Sequence, residues 1–470
     1  MPDFALTLAR LVTDLELAHV PDVVSARARH LMLDAVGCAL ASRDQDYAGE
    51  FLAAVRDLAG NAPGTRGVIG HATRLPLRDA ATINGVLAHG LDYDDTHMAG
   101  IIHLTVSVLP ALLALGAERD ASGREVLAAY IAALEAGARI ASVVKGGLHD
   151  KGFHPTGVVG IFASALAAGR LLGLDAAALV RAQGIALSMS AGSLQFIEDG
   201  SWTKRWHPGW AAQAGITAAT LAARSIPAPE APYEGRYGFY ALYLGERERA
   251  KADPALATAG LAVGDTVRVE RWELENIAVK PYPMCHFVHA ATDAAIALHR
   301  GGARAADVVA VEARMPAGVM AAVCEPLAAK RRPQSDYDAK FSLPYAVACG
   351  LLRGRLGLAE LAPAAWRDPQ VLALMDRVTC VVDADSTFPR HYSGEVRVRM
   401  ADGRELAHRE SINRGHAERP LTNAEVVEKY AANATLSFGA AHADRVRETV
   451  LGIDGLASVR MLEDLLAREP

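Results

Sequence analysis

The chain is poor in cysteine and in aromatic residues. Its 470 residues include five cysteines, and aromatic residues make up only 6%. The number of cysteines is odd and no Cys-x-x-Cys pair is present, which argues against a disulfide framework and against a zinc ribbon. The same usage favours a reducing compartment, so we expect a cytoplasmic protein.

Long apolar runs and nucleotide-binding loops are also missing. The longest apolar stretches, residues 104–117 and 156–169, hold about 14 residues, whereas a spanning helix needs about 20, so no membrane segment is expected. No Gly-x-Gly-x-x-Gly and no Walker loop is found, which argues against nucleotide cofactors. The first residues carry no basic, apolar leader, so we expect no signal peptide.

Basic stripes are absent as well. The net charge is −6, and lysine and arginine do not alternate with aromatic residues, so nucleic acid is not an expected partner. At 51% hydrophobic residues, the composition is typical of a large globular protein, and the length indicates two to three domains at roughly 150 residues each.

Helical periodicity dominates the first part of the chain. Apolar residues recur at helix spacing over several segments, many of them apolar nearly all round, which is typical of helices buried among helices. The clearest are residues 25–41, 124–143, 158–172 and 176–188. We predict a helical domain over residues 1–265.

The pattern changes after a proline-rich stretch at residues 226–232. Three segments then alternate with period two, as half-buried strands do. They are residues 266–271, 308–313 and 394–400, and helices are predicted among them over residues 289–299, 345–352 and 369–378. We therefore predict an α+β domain over residues 266–405.

A capping box at Thr422 and Glu425 opens further helices near the end of the chain. Residues 406–470 are predicted to rejoin the helical domain, so that the α+β domain is an insertion. The predicted fold class is mainly α with a smaller α+β domain.

Residues 89–97, which we call the acidic segment, read His-Gly-Leu-Asp-Tyr-Asp-Asp-Thr-His between apolar neighbours. Packed carboxylates and imidazoles perturb one another's pKa values and often mark a site. Two alternatives exist. The segment could be a solvated helix end, or a metal site of a metal-dependent hydrolase could use the His and carboxylate ligands that zinc, manganese and iron accept. That metal set would be His89, Asp92, Asp95 and His97.

Three polar clusters stand where helices are predicted to begin. His154 and His207 each precede a proline, Lys204 lies just before His207, and His103 precedes another apolar helix. Proline fits the first helical turn, where free N–H groups and the helix dipole favour an anion. For any one cluster, an ordinary helix start with an exposed histidine is the alternative.

Lys280 opens a fourth cluster, at the boundary between the predicted domains. Prolines at 281 and 283 stiffen the backbone after it, and ligand sites favour such boundaries. A plain linker is the alternative.

Taken in order along the chain, these motifs resemble the MmgE/PrpD family, whose members include 2-methylcitrate dehydratases, cis-aconitate decarboxylases and iminodisuccinate epimerases. The matching pieces are residues 84–96, His103 with residues 108–110, and residues 152–157, 203–207, 234–239, 280–283 and 338–342. The resemblance implies a large all-helical domain, an α+β lid domain and a homodimer, with no metal and no organic cofactor. It implies a lyase acting on a small di- or tricarboxylate by proton transfer next to a carboxylate.

The resemblance also implies site residues. They are Asp92, Thr96, His103, His154, Lys204 and Lys280, with His286 as an addition. Two departures from the decarboxylase pattern are an extra residue between Thr96 and His103 and Leu327 in place of a tyrosine. Residues 203–207, in turn, are closer to decarboxylases and epimerases than to methylcitrate dehydratases. The choice among dehydration, decarboxylation and epimerisation therefore stays open.

The predicted mechanism assigns a role to each group. Lys204 and Lys280 hold substrate carboxylates and stabilise an enolate-like intermediate. His103 or His154 is the general acid or base, and Asp92 orients a histidine or takes a proton itself. The predicted substrate-binding residues are Thr96, His207 and His286. A binding protein without catalysis is a further alternative, and the metal-dependent hydrolase is the rival of another class.

Overall fold

The structure is a computed structural model that describes residues 4–468. The chain forms two compact units. The first contains the described residues up to Val279 and again from Thr422 onward, and the second is Lys280–Leu421. The smaller unit is thus inserted before a helical return.

The unit boundaries lie at 279/280 and 421/422, later than the predicted 265/266 and 405/406. Strand Val267–Val269 belongs to the first unit because it pairs with Leu261–Val263 and its Val267 N–H donates to Asp14 in the first helix. Strand Glu405–Glu410 belongs to the second unit because it pairs in that unit's sheet.

The first unit is mainly helical. Its longer helices are Phe4–Asp14, Asp22–Ser42, Asp46–Leu58, Leu77–His89, Thr105–Arg119, Gly123–Ser142, Gly160–Leu171, Ala176–Leu187, Thr203–Ala223, Asn423–Ala434, Ala440–Leu451 and Arg460–Leu466. Its short helices are Gly147–Asp150, Pro155–Val158, Phe196–Asp199, Phe239–Tyr243 and Glu246–Arg249. Three two-stranded sheets complete it, pairing Arg66–Val68 with His71–Leu75, Thr96–His97 with Ile277–Ala278, and Leu261–Val263 with Val267–Val269.

Two glycines allow the helices Leu77–His89 and Thr203–Ala223 to cross closely. A Cβ on Gly85 would lie 2.7 Å from the backbone of Gly209, and a Cβ on Gly209 would lie 2.3 Å from the carbonyl oxygen of Thr82. Neither distance leaves room for a side chain. The crossing lies about one turn before the end of the helix Leu77–His89 and nearly two turns after the start of the helix Thr203–Ala223, and both of these helix ends carry polar side chains.

The second unit is an α+β structure around a four-stranded sheet. In order across the sheet, its strands are Glu405–Glu410, Gly394–Met400, Val308–Met315 and Val378–Val382. The first three pair antiparallel and the last pairs parallel. Its helices are His289–Arg300, Met320–Val323, Leu327–Lys330, Asp336–Lys340, Leu343–Arg353, Pro363–Trp366 and Pro369–Met375.

These elements confirm the predicted fold class of a mainly helical chain with a smaller α+β unit. The capping box is confirmed, since Thr422 Oγ1 accepts from the N–H of Glu425, and the Glu425 carboxylate accepts from the N–H of Thr422. The predicted helix over residues 369–378 is wrong at its end, because Val378 begins a strand. Within residues 4–468, no helix combines the length and the hydropathy that crossing a bilayer requires.

Candidate active site

The acidic segment is buried along its whole length. It follows the helix that ends at His89, and it turns at Asp92, whose φ of +53° lies in the left-handed region that aspartate tolerates better than most residues. The N–H of Asp92 donates to the carbonyl of His89 at 2.8 Å. The segment ends in strand Thr96–His97. The alternative of a solvated helix end is therefore wrong.

Asp94 lies between two imidazoles. Nδ1 of His89 is 2.9 Å from Oδ1 of Asp94, and Nδ1 of His103 is 3.1 Å from Oδ2. Burial would raise the pKa of Asp94, but these imidazoles outweigh it and hold that pKa well below its usual range. Burial lowers the pKa of His89 to about 4 despite the neighbouring carboxylate. At neutral pH, Asp94 is therefore charged and His89 is neutral.

The surroundings of His103 determine which ring nitrogen carries the proton. Its Nδ1 lies 2.7 Å from the carbonyl oxygen of Asp95, 3.1 Å from Oδ2 of Asp94 and 3.3 Å from the hydroxyl of Thr96. Since the carbonyl and the carboxylate can only accept, Nδ1 is the donor. Nε2 faces the other way, 4.0 Å from Oδ1 of Asp92, and is the nitrogen left for chemistry.

Asp92 also binds Lys204. Nζ of Lys204 lies 2.8 Å from Oδ1 of Asp92, and both side chains are largely buried. The next residue, Arg205, donates from Nε to the carbonyl of Gly90 at 2.8 Å. The start of the helix Thr203–Ala223 is thus held directly against the acidic segment.

His154 and His207 contact each other through their Nδ1 atoms, which are 2.9 Å apart. One nitrogen must donate and the other accept, so the two rings have complementary tautomers. Burial lowers the pKa of His207 to about 4 and that of His154 well below its usual value. Both rings are neutral at physiological pH.

The three predicted clusters all lie at or near the start of a helix. His154 occupies the N-cap position of the short helix that begins at Pro155, and His103 lies two residues before the helix that begins at Thr105. Lys204 lies in the first turn of the helix that begins at Thr203, whereas His207 lies in its second turn, and Pro208, which was predicted to open the helix, lies inside it. A proline this close to a helix start removes only one hydrogen bond, so the helix continues through it.

The alternative metal set of His89, Asp92, Asp95 and His97 is not among the ligand groups that the described residues bring together. The Asp95 carboxyl accepts a short hydrogen bond from Thr105, and burial raises the pKa of Asp95 to about 8. Nε2 of His97 instead faces Oε2 of Glu273 at 3.1 Å.

Other groups of possible ligands exist among the described residues. Three sets have ligand atoms within 4.8 Å of one another. They are His89 with His103 and His154; His89 with Asp92, Asp94 and His103; and, in the second unit, His391 with His416 and Glu418. In the second set, the ammonium of Lys204 already lies 2.8 Å from the Asp92 oxygen, so a cation would compete with it.

Comparison with known proteins identifies the family. The profile of the MmgE/PrpD N-terminal domain matches residues 6–251, and that of the MmgE/PrpD C-terminal domain matches residues 282–454. The chain belongs to the MmgE/PrpD family. It is accordingly an enzyme of the MmgE/PrpD type, as the sequence predicts.

Curated relatives agree with this assignment. A cis-aconitate decarboxylase-like protein of Aspergillus oryzae is 27% identical over 480 residues, which cover 98% of this chain and 97% of that protein. The cis-aconitate decarboxylase of Homo sapiens is 26% identical over an alignment that covers 98% of this chain and 94% of that protein. The 2-methylcitrate dehydratase of Cupriavidus necator is 26% identical over 80% of this chain and 78% of its own.

Of the site residues predicted for this MmgE/PrpD chain, six lie together in the first unit. They are Asp92, Thr96, His103, His154, Lys204 and His207. The other two belong to the second unit. Lys280 is its first residue, two positions after Ala278, which is paired with Thr96. His286 lies 4.8 Å from the ring of His289, and its Nε2 accepts from Nδ2 of Asn413 at 2.9 Å.

One contact in this first unit was missed by the sequence reasoning. Nζ of Lys429, in the helix Asn423–Ala434, donates to the carbonyl of Tyr93 at 2.7 Å and lies 2.7 Å from Oδ1 of Asp34. It thereby holds the acidic segment from the C-terminal return. No local pattern signals a contact between residues 336 positions apart.

Proposed function

We propose that this enzyme is a lyase that acts on a small di- or tricarboxylate by proton transfer at a carbon next to a carboxylate, without metal or organic cofactor. One observation carries the proposal. Nε2 of His103 and Nζ of Lys204 converge on the same oxygen, Oδ1 of Asp92, at 4.0 and 2.8 Å. A proton-transfer group and a fixed cation therefore lie side by side in a buried site.

The protonation states divide the roles of the two histidines. His103 is the general acid or base, because its Nδ1 donates to the carbonyl of Asp95 and its Nε2 is left to exchange a proton with the substrate. His154 stays neutral because burial lowers its pKa, so it serves as a hydrogen-bonding partner of the substrate. Thr96 and His207 complete the polar lining of the site.

The anionic substrate requires positive charge. Lys204 supplies one cation, which Asp92 partly neutralises in the free enzyme. A substrate carboxylate would compete with Asp92 for this ammonium and release Asp92 for proton transfer or orientation. We assign Lys280 and His286 to substrate binding as further donors, in line with the family resemblance.

Among the possible reactions, decarboxylation is the first candidate. The curated cis-aconitate decarboxylases are similar over 95% or more of this chain, against 80% for the 2-methylcitrate dehydratase. In decarboxylation, the C–C bond breaks, CO₂ leaves, and the electron pair stays on carbon as an enolate-like anion. His103 then delivers a proton to that anion from Nε2.

The alternative is a hydro-lyase, which the similarity to the dehydratase favours. Here a base removes the proton next to a carboxylate, and the neighbouring hydroxyl leaves as water after protonation. Both reactions use the same buried pair of base and cation, so the product decides between them.

Proton NMR in deuterated water tests the proposal. The full-length enzyme is incubated with cis-aconitate, 2-methylcitrate, citrate and tartrate, and released CO₂ is measured in parallel. CO₂ together with a deuterated product identifies a decarboxylase, and a new vinyl signal without CO₂ identifies a hydro-lyase. Deuterium incorporation with inversion alone identifies an epimerase and refutes the lyase assignment, and no change with any acid refutes the substrate class.

Matched variants show whether the described site is responsible for turnover. Lys204→Gln should abolish turnover, whereas Lys145→Gln should not, because Lys145 pairs with Asp253 in an exposed position. Activity that survives dialysis against a chelator supports the cofactor-independent reading, and activity restored only by metal contradicts it. We also propose that the protein is a cytoplasmic homodimer. A cytoplasmic location is consistent with its five free cysteines. Light scattering on the purified protein tests the oligomeric state.

A further inference from the structure

Asp94 is the carboxylate of the site that the proposed reaction does not use. Its side chain is fully buried, and its two oxygens face Nδ1 of His89 at 2.9 Å and Nδ1 of His103 at 3.1 Å. A buried charge is costly unless its partners compensate for it. The arrangement of these two partners is therefore informative.

The two rings use Asp94 differently. Nδ1 of His103 is already held by the carbonyl oxygen of Asp95 at 2.7 Å, so its tautomer does not depend on Asp94. Asp94 adds what a carbonyl lacks, a full negative charge 3.1 Å from the ring. In a buried setting, such a charge favours the cationic form of the imidazole it faces.

Nδ1 of His89 lies 2.9 Å from Oδ1 and 3.1 Å from Oδ2 of Asp94, and the His89 ring does not neutralise the charge. His89 is fully buried and neutral at physiological pH, and its ring lies 4.8 Å from His103 and 5.6 Å from His154. Within residues 4–468, its Nε2 makes no hydrogen bond. His89 thus packs the site as a neutral ring, and the charge of Asp94 remains available to His103.

We propose that Asp94 is a positioning residue that stabilises the cation formed when Nε2 of His103 takes up a proton, and that fixes the neutral His89 ring through its Nδ1. The role in turnover rests on the proposed function. The arrangement of protons does not, since it follows from the contacts alone.

The neighbouring Asp95 provides a matched control. It is equally buried, but burial raises its pKa to about 8, so it is mostly uncharged at pH 7. Asp95→Asn keeps an oxygen that can accept from Thr105, and it leaves the main-chain carbonyl that holds His103 in place. Asp94→Asn and Asp95→Asn therefore both replace a carboxyl group by an amide, but only Asp94→Asn removes a negative charge at pH 7.

The kinetic experiment compares Asp94→Asn with Asp95→Asn in the full-length enzyme, with kcat and KM measured against pH on the substrate identified above. We expect Asp94→Asn to lower kcat by about 10- to 100-fold, with KM changed less than about threefold. The limb of the pH profile that depends on His103 is identified by its absence in His103→Gln. In Asp94→Asn, this limb should move to lower pH by about one unit. Asp95→Asn should change kcat by less than about threefold and leave that limb in place. An unmoved limb in Asp94→Asn, or an equal loss in both variants, overturns the proposal.

A second measurement needs no Asp94 variant and no turnover. In wild-type protein labelled with ¹⁵N-histidine, the signals of His89 and His103 are assigned by their loss in His89→Gln and His103→Gln. Above pH 7.5, both should show a protonated Nδ1 and an unprotonated Nε2. A protonated Nε2 on either ring overturns the proposal. If the enzyme converts none of the acids but shows these tautomers, the proposed function fails while the arrangement around Asp94 stands.

Discussion

The pair His89 and His103 in the first unit and the pair His286 and His289 in the second are held by different kinds of partner. In the first unit, His89 and His103 both face the charged Asp94. In the second, His286 accepts from the amide of Asn413 at 2.9 Å, and His289 donates to the carbonyl of Met284 at 3.2 Å. A carboxylate stabilises a cation on the ring it faces, whereas an amide or carbonyl offers only a dipole. The charge of Asp94 therefore equips the pair His89 and His103 for proton transfer.

The strongest test of this difference is a pair of histidine variants. His103→Gln should lower kcat by about 10²- to 10⁴-fold, the usual contribution of a general acid or base. His286→Gln should act mainly on KM, because its predicted role is substrate binding. Steady-state kinetics on the identified substrate measures both. A larger loss of kcat in His286→Gln than in His103→Gln would reverse the comparison.

The second test removes a support that belongs to the first unit alone. Lys429→Met takes the ammonium away from Asp34 and from the carbonyl of Tyr93. It leaves a buried carboxylate without its partner, which costs about 3 kcal/mol and lowers the thermal midpoint by about 5 °C.

A double variant separates charge from packing at this site. Asp34→Asn combined with Lys429→Met removes both charges, so most of the lost midpoint should return. An unchanged midpoint in the single Lys429→Met variant contradicts the assignment of Lys429 as a support of the acidic segment.

The third test uses acid. Burial lowers the pKa of His89 and His207 to about 4, and that of His154 lies well below its usual value. Between pH 6.5 and 4, the unfolded chain binds protons that the native histidines do not. The contribution of these histidines to the free energy of unfolding is therefore full above pH 6.5 and is lost as the pH falls. Each such histidine contributes up to about 1.4 kcal/mol per pH unit.

Hydrogen exchange locates this acid effect. After correction for intrinsic exchange rates, protection around residues 89–105 should fall more between pH 7 and pH 5 than protection around residues 286–300. Equal losses in the two regions would show that the neutral imidazoles of the first unit are not the cause.

The smallest effect is expected at Asp95. Its native pKa of about 8 lies above the ordinary value near 4, so the native state keeps a proton that the unfolded chain loses. The stability from this single group therefore falls as the pH rises from about 4 to 8, by up to about 1.4 kcal/mol per pH unit. The thermal midpoint of Asp95→Asn, measured relative to that of the wild type, should rise between pH 6 and pH 8. A constant difference would mean that Asp95 is ionised in the native protein.

Local patterns account for what could be predicted. Residues 124–143 form the expected helix, observed as Gly123–Ser142, because the apolar residues of this segment recur with the 3.6-residue period of a helix. His154 occupies the N-cap position of a helix because the proline after it favours the first helical turn. By contrast, strand Val378–Val382 follows helix Pro369–Met375 within one apolar run, and periodicity alone cannot divide such a run.

The geometry of the site depended on contacts that no local pattern carries. The sequence shows three carboxylates in the acidic segment, but the left-handed turn at Asp92 decides that Asp92 meets Lys204, Asp94 meets two histidines and Asp95 turns to Thr105. The contact from Lys429 to Tyr93 crosses most of the chain. Such choices are made by tertiary packing, so the residue types were predictable and their partners were not.

Pro208 lies between the first turn of the helix Thr203–Ala223, which carries Lys204, and the rest of that helix. Because proline has no N–H, the carbonyl of Lys204 lacks the donor that would tie the first turn to the next. The body of the helix is clamped by the crossing of Gly209 with Gly85. The first turn takes its position from the hydrogen bond between Arg205 and the carbonyl of Gly90, so the same backbone segment that carries Asp92 also fixes where Lys204 stands.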